Sequence, residues 1–588
     1  MKTRLFPFFK SSVRSSSILA VSITMVLGAH SASAASLYWD TDGTTSGFGT
    51  ASGTWDTDAF WSTDATGASA TAATVTTTAD FINFGTGTVG LAAGPIAVAG
   101  TVSAGSITFG STSGAIALTG GTITLAAAAT ITVDNASDSI SSILAGTTLT
   151  KAGTGTLTLS GANTHNGLNT LSAGTLVMAN PQALGTNIAS NAISFTGTTA
   201  ILDIATDGAD TAYKISAGSG TISTIASNVK TGSVGINHTL GTLGIGGSAT
   251  AGLTRLNIVA GGAVLSGTPS ITFGAVTLSA GAASVISTFN PTTSSLTLAS
   301  VTSSGAATGT KVLNLDGTSA GNLVTGVISN GTSSIAVTKT NSSTWTLSGV
   351  NTFTGGTTIA GGLIQMNGAT SNIGSVNNTL TINAGAIELN GTNQGVGILT
   401  GSIAAGTNAI YNSVNSTTST LTVGNNNSTG GIFAGTIANT NSAGTGIVAL
   451  TKVGTGTQIL SGTNTYTGIT TLSGGRLLLG NGGGLAATAV TAGAGTFGVA
   501  QNASGTSNTL GGALTMNSAS AFTMGDTFTS TLNIAGAANL YGTAGTAPVY
   551  TFGSVWKTMN KSLPRLPSDG GWSRPREPVC KSRHAPTG

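Results

Sequence analysis

This 588-residue chain has little of what site chemistry is usually built from. Its one cysteine, Cys580, lies close to the C-terminus, which excludes disulfides, thiolate metal sites and a cysteine nucleophile from everything before it. Charged residues make up 6 % and aromatics 5 %. Between residues 37 and 556 there is one glutamate, Glu388, and there are two arginines, Arg255 and Arg476. The two histidines of that stretch, His165 and His238, stand in unrelated contexts and suggest no metal pair. The formal charge of +3 comes from the ends, because eight basic residues face 14 acidic ones in the body. No basic stripe or interleaved aromatics support nucleic-acid binding. No Gly-Lys-Ser/Thr string supports a phosphate loop, and no Gly-Gly-x-Gly-x-Asp string supports a calcium-binding nonapeptide array. Only Pro95, Pro181, Pro269 and Pro291 interrupt residues 81–545, so no Pro-rich linker divides them. After the N-terminus no run of 18 apolar residues occurs, so the mature chain as written offers no spanning helix.

What is present is 88 glycines, with Thr, Ser, Ala and Asn, and 39 % hydrophobic residues in short alternating runs. Leu296-Thr297-Leu298, Leu380-Thr381-Ile382 and Leu421-Thr422-Val423 are typical. Period two puts apolar side chains on one face of a strand, and Gly, Asn and Ser clusters punctuate the runs as turns. Near-zero net charge with this apolar content favours an ordered β-solenoid over disorder.

One 32-residue stretch occurs three times without a gap, at 149–180, 337–368 and 450–481. The shared positions are Lys151/Lys339/Lys452, Gly161/Gly349/Gly462, Asn163/Asn351/Asn464, Gly167/Gly355/Gly468 and Gly174/Gly362/Gly475. An aromatic-type slot holds His165, Phe353 or Tyr466. Each copy reads strand, turn, strand, turn, one to two coils of a solenoid that must stack on its neighbours to bury its apolar face. The slot is expected to fill space between coils rather than to serve as a ligand platform. The lone lysine, without a carboxylate at fixed offset, is expected as a solvated strand-end charge that discourages edge pairing.

The string Lys-x-Gly-x-Gly-x-Leu-x-Leu-Ser-Gly-x-Asn-Thr-Tyr-x-Gly resembles the autotransporter-associated β-strand repeat, also called the passenger-associated transport repeat. The third copy fits through Tyr466 and Gly468, with Gln458 in an apolar place; the first departs at His165, the second at Asn341 and Ser343. The resemblance implies a right-handed parallel β-helix, in an exported passenger region of a bacterial surface protein. It also implies repeats that assist folding during export, contact with the translocation machinery, and a cysteine-free body suited to crossing the periplasm.

Residues 1–34 read as a secretion signal: Lys2, Arg4, Lys10 and Arg14, then an apolar stretch at 18–27 too short to span, then Ala32-Ser33-Ala34. Residues 35–80, with Trp39, Trp55 and Trp61 and five aspartates between 37 and 64, read as an aromatic cap on the first coil. Asp40/Asp42 and Asp56/Asp58 lack the further ligands of a calcium loop and read as turn residues. Residues 81–549 are expected as the solenoid, and 550–588, with five prolines and seven basic residues, as a disordered and non-native tail.

Candidate chemistry is sparse. Asp203, Asp207 and Asp210, beside Tyr213 and Lys214, form the nearest approach to an acidic site, read first as a solvated loop between coils. Gly317-Thr318-Ser319-Ala320-Gly321 matches a serine-hydrolase string, but no helical pattern follows it. The reading is therefore an exported, stalk-like surface protein, not an enzyme, with no catalytic residue, cofactor or metal. It contacts surface glycans or matrix through many weak polar contacts. The alternatives are a secreted carbohydrate-active β-helix and an aggregating matrix protein.

Overall fold

The computed structural model describes residues 34–539 apart from 72–74, 189–192, 249–253, 280–283, 306–308, 405, 481, 501–505 and 525–530. It also describes the strands Val549–Phe552 and Thr558–Asn560. The expected signal segment, but for Ala34, and most of the expected tail lie outside the described residues.

Among the described residues there is no helix. The chain winds as a parallel β-solenoid of about 18 turns, which at ~4.8 Å per turn makes a rod of about 85 Å. Each coil passes three faces in a fixed order. Phe81–Phe84 lies on the first face, Gly94–Val98 on the second and Thr101–Ala104 on the third. The next coil repeats the order with Ser106–Phe109, Ile116–Thr119 and Thr122–Leu125.

The alternating runs dictate this arrangement. In Thr122–Leu125 the isoleucine and leucine point inward and the threonines outward. Stacking in register then builds aliphatic columns along the axis. One runs Ile82, Ile107, Ile131 on the first face, and another Ile96, Leu118, Ile140, Leu159, Met178, Ile204 on the second. All are buried, and each contributes about 1.5–3 kcal/mol. Coil length varies at the corners, with register steps from Leu149 to Asn169 and from Leu243 to Val276. The longer coils put out excursions while the three faces stay aligned.

The N-terminal end is closed. Ser36–Trp39 pairs in parallel with Phe81–Phe84, while its outer edge takes Trp61–Ser62 in antiparallel register. Trp39, Trp55 and Trp61 are buried and meet edge to face, with ring centroids 4.8 Å apart for Trp39–Trp61 and 5.2 Å for Trp55–Trp61. The aromatic stack continues through Phe84 to Phe109. Neighbouring aspartates accept turn N–H groups: Asp40 Oδ1 from Asp42 and Gly43, and Asp58 Oδ2 from Thr54. At the other end, Val549–Phe552 and Thr558–Asn560 still pair in register with Ser520–Met524 and Thr531–Ile534. The described ladders thus run past residue 549.

Candidate functional site

The three repeated stretches put shared residues into the same local geometry. In the first, Thr148–Ala152, Thr156–Leu159, Asn169–Leu171 and Thr175–Met178 form two strands of one coil and the two that stack on them. The third follows the same course, from Ile447–Lys452 and Thr457–Leu460 to Thr470–Leu472 and Arg476–Leu479.

The lysine corrects the expectation of a solvated charge. Lys151, Lys339 and Lys452 are all buried. Lys151 Nζ donates to the carbonyls of Ala152 (2.7 Å) and Gly153 (2.9 Å) and, one coil on, to Ala173 (3.3 Å). Lys452 donates to Val453, Gly454 and Gly474, and Lys339 to Thr340 and Asn341. An ammonium has three donors and no acceptor, and a tight turn has carbonyls that no ladder uses. Burial pushes the ammonium of Lys151 down to about 8, against the pull of Asp134 and Asp138. It pushes that of Lys339 to about 8 against Asp316, and lowers that of Lys452 too.

The turn that receives the lysine explains the glycines. Gly153 and Gly454 have φ of 75° and 66°, and the closing Gly174, Gly362 and Gly475 lie at 62–66°, where a Cβ is unfavourable. A Cβ on Gly362 or Gly475 would also stand 2.6 or 2.8 Å from the lysine nitrogen. In the second copy Asn341 takes the left-handed place at φ 53°, which asparagine tolerates. Gly161, Gly349 and Gly462 approach the previous coil so closely that a Cβ would meet a carbonyl oxygen at 2.1–2.5 Å. Gly167, Gly355 and Gly468 do the same while donating N–H to Thr147, Ile335 and Val448.

The asparagine acts as a side-chain rung between coils. Asn163 Oδ1 accepts from Leu144 N (2.8 Å), and its Nδ2 donates to Ala183 O (2.6 Å), so one amide ties three successive coils. Asn351 does this between Ile328 N and Asn372 O, and Asn464 between Ile437 N and Gly484 O. Outside the repeats Asn322 reproduces the pattern, between Leu296 N and Thr344 O, while Gln394 holds Ile373 N and Ser371 O of one preceding coil. The aromatic slot is buried in all three copies. Tyr466 OH meets Thr470 Oγ1 at 2.7 Å, and His165 Nε2 meets Asn169 Oδ1 at 2.9 Å. Gln458, turned inward, uses its amide on Leu399 two coils back, through space left by Gly431.

Lysine in a turn, glycines at each close approach, an asparagine rung and a buried ring recur together, and the passenger-associated-transport-repeat family matches residues 149–178, 337–366 and 450–479. These are passenger-associated transport repeats. A stretch of 182 residues, 30 % of the chain, is 38 % identical to the adhesin BmaC autotransporter of Brucella suis biovar 1 (strain 1330). It spans 5 % of that protein's length. No solved structure matches. The transport repeats and this relative indicate export to the cell surface or the extracellular space.

The transport repeats also rotate about the rod. Lys151 and Lys452 lie on the first face, whereas Lys339 lies on the second, in the ladder that runs from Thr156–Leu159 through Ile222–Asn228 to Ser334–Lys339. The second copy is thus offset by one face.

The acidic cluster divides, with Asp203 and Asp210 turned toward His238 and Asp207 turned away. Asp207 is exposed and accepts from the N–H groups of Lys230 and Thr231, Asp203 Oδ2 accepts from Asn228, and Asp210 turns inward to His238. Tyr213 is buried and donates to Gly185 O. Ser319 donates to Asn322 Oδ1, and Glu388 accepts from Gln365 Nε2. The His238–Asp210 pair was not foreseen. Its separation of 28 residues equals about one coil in this part of the rod, a length that only the structure shows.

Proposed function

We propose that this chain is the rod of a surface adhesin, held extended by its inward-facing repeat residues and adhering through its outward ones. The single observation that carries this reading is the set of hydroxyl columns on the first face. Thr130, Thr150, Thr170, Ser194 and Ser216 stand in one register column, and Thr422, Thr451, Thr471, Thr491 and Thr515 in another. They repeat at about 4.8 Å and carry no charge, which suits neutral glycans or matrix polymers met by many weak contacts. The relative's name, an adhesin autotransporter, supports the same reading. Passage through a translocation machinery follows from it, as does a role that is not enzymatic.

The test is binding of the full chain to glycan arrays and matrix-coated surfaces, with Thr451, Thr471 and Thr491 changed to aspartate singly and together. Affinity is expected to fall stepwise while the far-ultraviolet circular dichroism stays constant. Loss of all binding from one substitution would indicate a discrete site instead. Turnover of any glycan on the array would favour the carbohydrate-active reading.

A further inference from the structure

Between the first and third repeats one buried histidine is held by groups that no repeat shares. His238 and Asp210 are fully enclosed, with His238 Nδ1 2.9 Å from Asp210 Oδ2. The other ring nitrogen, Nε2, lies 2.6 Å from the carbonyl oxygen of Asn228. Both partners are acceptors. Either neutral tautomer would therefore set one ring lone pair against an oxygen lone pair, whereas the imidazolium donates to both.

The location gives this pair a task. Val234–Thr239 is where the third-face ladder resumes after coils without a strand there, and among the described residues its ladder partner is Ser266–Ser279 on one side. At its other edge a side chain takes the place of a strand: Thr239 N donates to Asp210 Oδ2 (3.3 Å). Asp210 is fixed by the hydroxyl of Thr206, and Asn228 by Asp203 Oδ2, with its own Oδ1 accepting from Val229 and Ala263.

We infer that His238, Asp210 and Asn228 form a proton-operated clasp, which holds the excursion 206–212 over the free edge of Val234–Thr239 when the imidazole is protonated and releases it when it is not. The titratable groups facing the ring are Asp210 and Asp203; Asp207 and Lys230 lie in the same excursions, joined through the Lys230 N–H. Burial alone would push the imidazolium below its ordinary 6.5. The hydrogen bond and charge of Asp210, the Asn228 carbonyl and the charge of Asp203 outweigh burial and leave it raised. The clasp is closed in full below pH 6.5 and is lost as pH rises through the raised value. Release uncovers strand N–H and C=O groups, the kind of edge that accepts another strand. The tip above it carries Val234 and Leu265, 60 % and 81 % exposed.

Hydrogen exchange of the full chain, corrected for intrinsic rates, tests this at pH 6 and pH 9. Protection of 234–239 is expected to fall at least tenfold at the higher pH, and His238→Gln is expected to abolish that difference. Equal protection at both pH values, or the same loss in His238→Gln, overturns the clasp. Should that variant misfold, nuclear magnetic resonance of histidine-labelled wild type and Asp210→Asn decides. An imidazole midpoint above 6.5 that drops in Asp210→Asn upholds the clasp, and no midpoint above 6.5 refutes it.

Discussion

The first and second transport repeats differ in where they sit and how they are built. The first has its lysine on the first face, a Gly-x-Gly turn and a histidine in the ring slot. The second has its lysine on the second face, Asn341 and Ser343 in the turn, and Phe353 in the slot. Both nevertheless place a buried ammonium over turn carbonyls and an asparagine amide across three coils. The repeat therefore specifies a local coil and not an azimuth on the rod. Its turn needs a residue that accepts positive φ, which glycine and asparagine both supply.

The sharpest way to break this equivalence is to remove a rung. Asn351→Ala takes the side-chain partner from Ile328 N, which is buried, and from Asn372 O, which is half-buried, and is expected to cost roughly 2–5 kcal/mol. Asn163→Ala should cost the same within about 1 kcal/mol if the copies are equivalent; denaturant unfolding of the full chain compares them. A wide gap between the two would show that the face matters.

Next in size, Gly362→Ala and Gly475→Ala put a Cβ at positive φ, 2.4 Å from the carbonyls of Asn341 and Gly456. Each should lose roughly 1–4 kcal/mol. Local hydrogen exchange around each turn reads whether the lysine nitrogen is displaced.

A third measurement uses the lysines of both copies. Burial holds the ammonium groups of Lys151 and Lys339 at about 8 against an ordinary 10.5. The unfolded chain binds more protons between these values, so stability should rise as pH climbs from 8 to 10. The tyrosines, ordinary at 10, set the upper limit, because Tyr213 and Tyr466 are raised by burial and begin to oppose folding above it. Denaturant midpoints that fall or stay level from pH 8 to 10 would contradict the buried-ammonium geometry.

The smallest effect expected is that of His165→Phe, which makes the first copy resemble the second. Burial lowers the His165 imidazolium, against its bonds with Asn169 and Leu144. Acid below pH 6.5 therefore destabilises this coil, and the variant should keep its melting temperature better between pH 6.5 and 5 than wild type does. Near pH 7 the two should agree within about 1 kcal/mol.

Most of the fold was legible because solenoid coils announce themselves locally. Thr122–Leu125 shows its inward and outward faces in four letters, and the recurrence of Lys, Gly and Asn at fixed offsets marks stacked units. The role of the lysine was not legible. Its partners are backbone carbonyls, which carry no letter, so a lysine without a nearby carboxylate reads as solvated until the coil closes around it. The His238–Asp210 pair was hidden for a related reason, since coil length changes from place to place and sequence separation alone does not say which residues are stacked. Asp207 and Asp210, three residues apart, point to solvent and to core respectively, a division set by the corner they turn.

The closed N-terminal end bears on assembly. A parallel stack of strands is a one-dimensional crystal whose terminal layers are growth faces, and identical layers from another molecule would ordinarily continue it. Here Trp61–Ser62 runs backwards along the terminal strand Ser36–Trp39, and Trp61 packs on Trp39 and Trp55. The first-face edge of that layer is poisoned. Coils that would stack in parallel on the first face at this end meet an antiparallel strand instead.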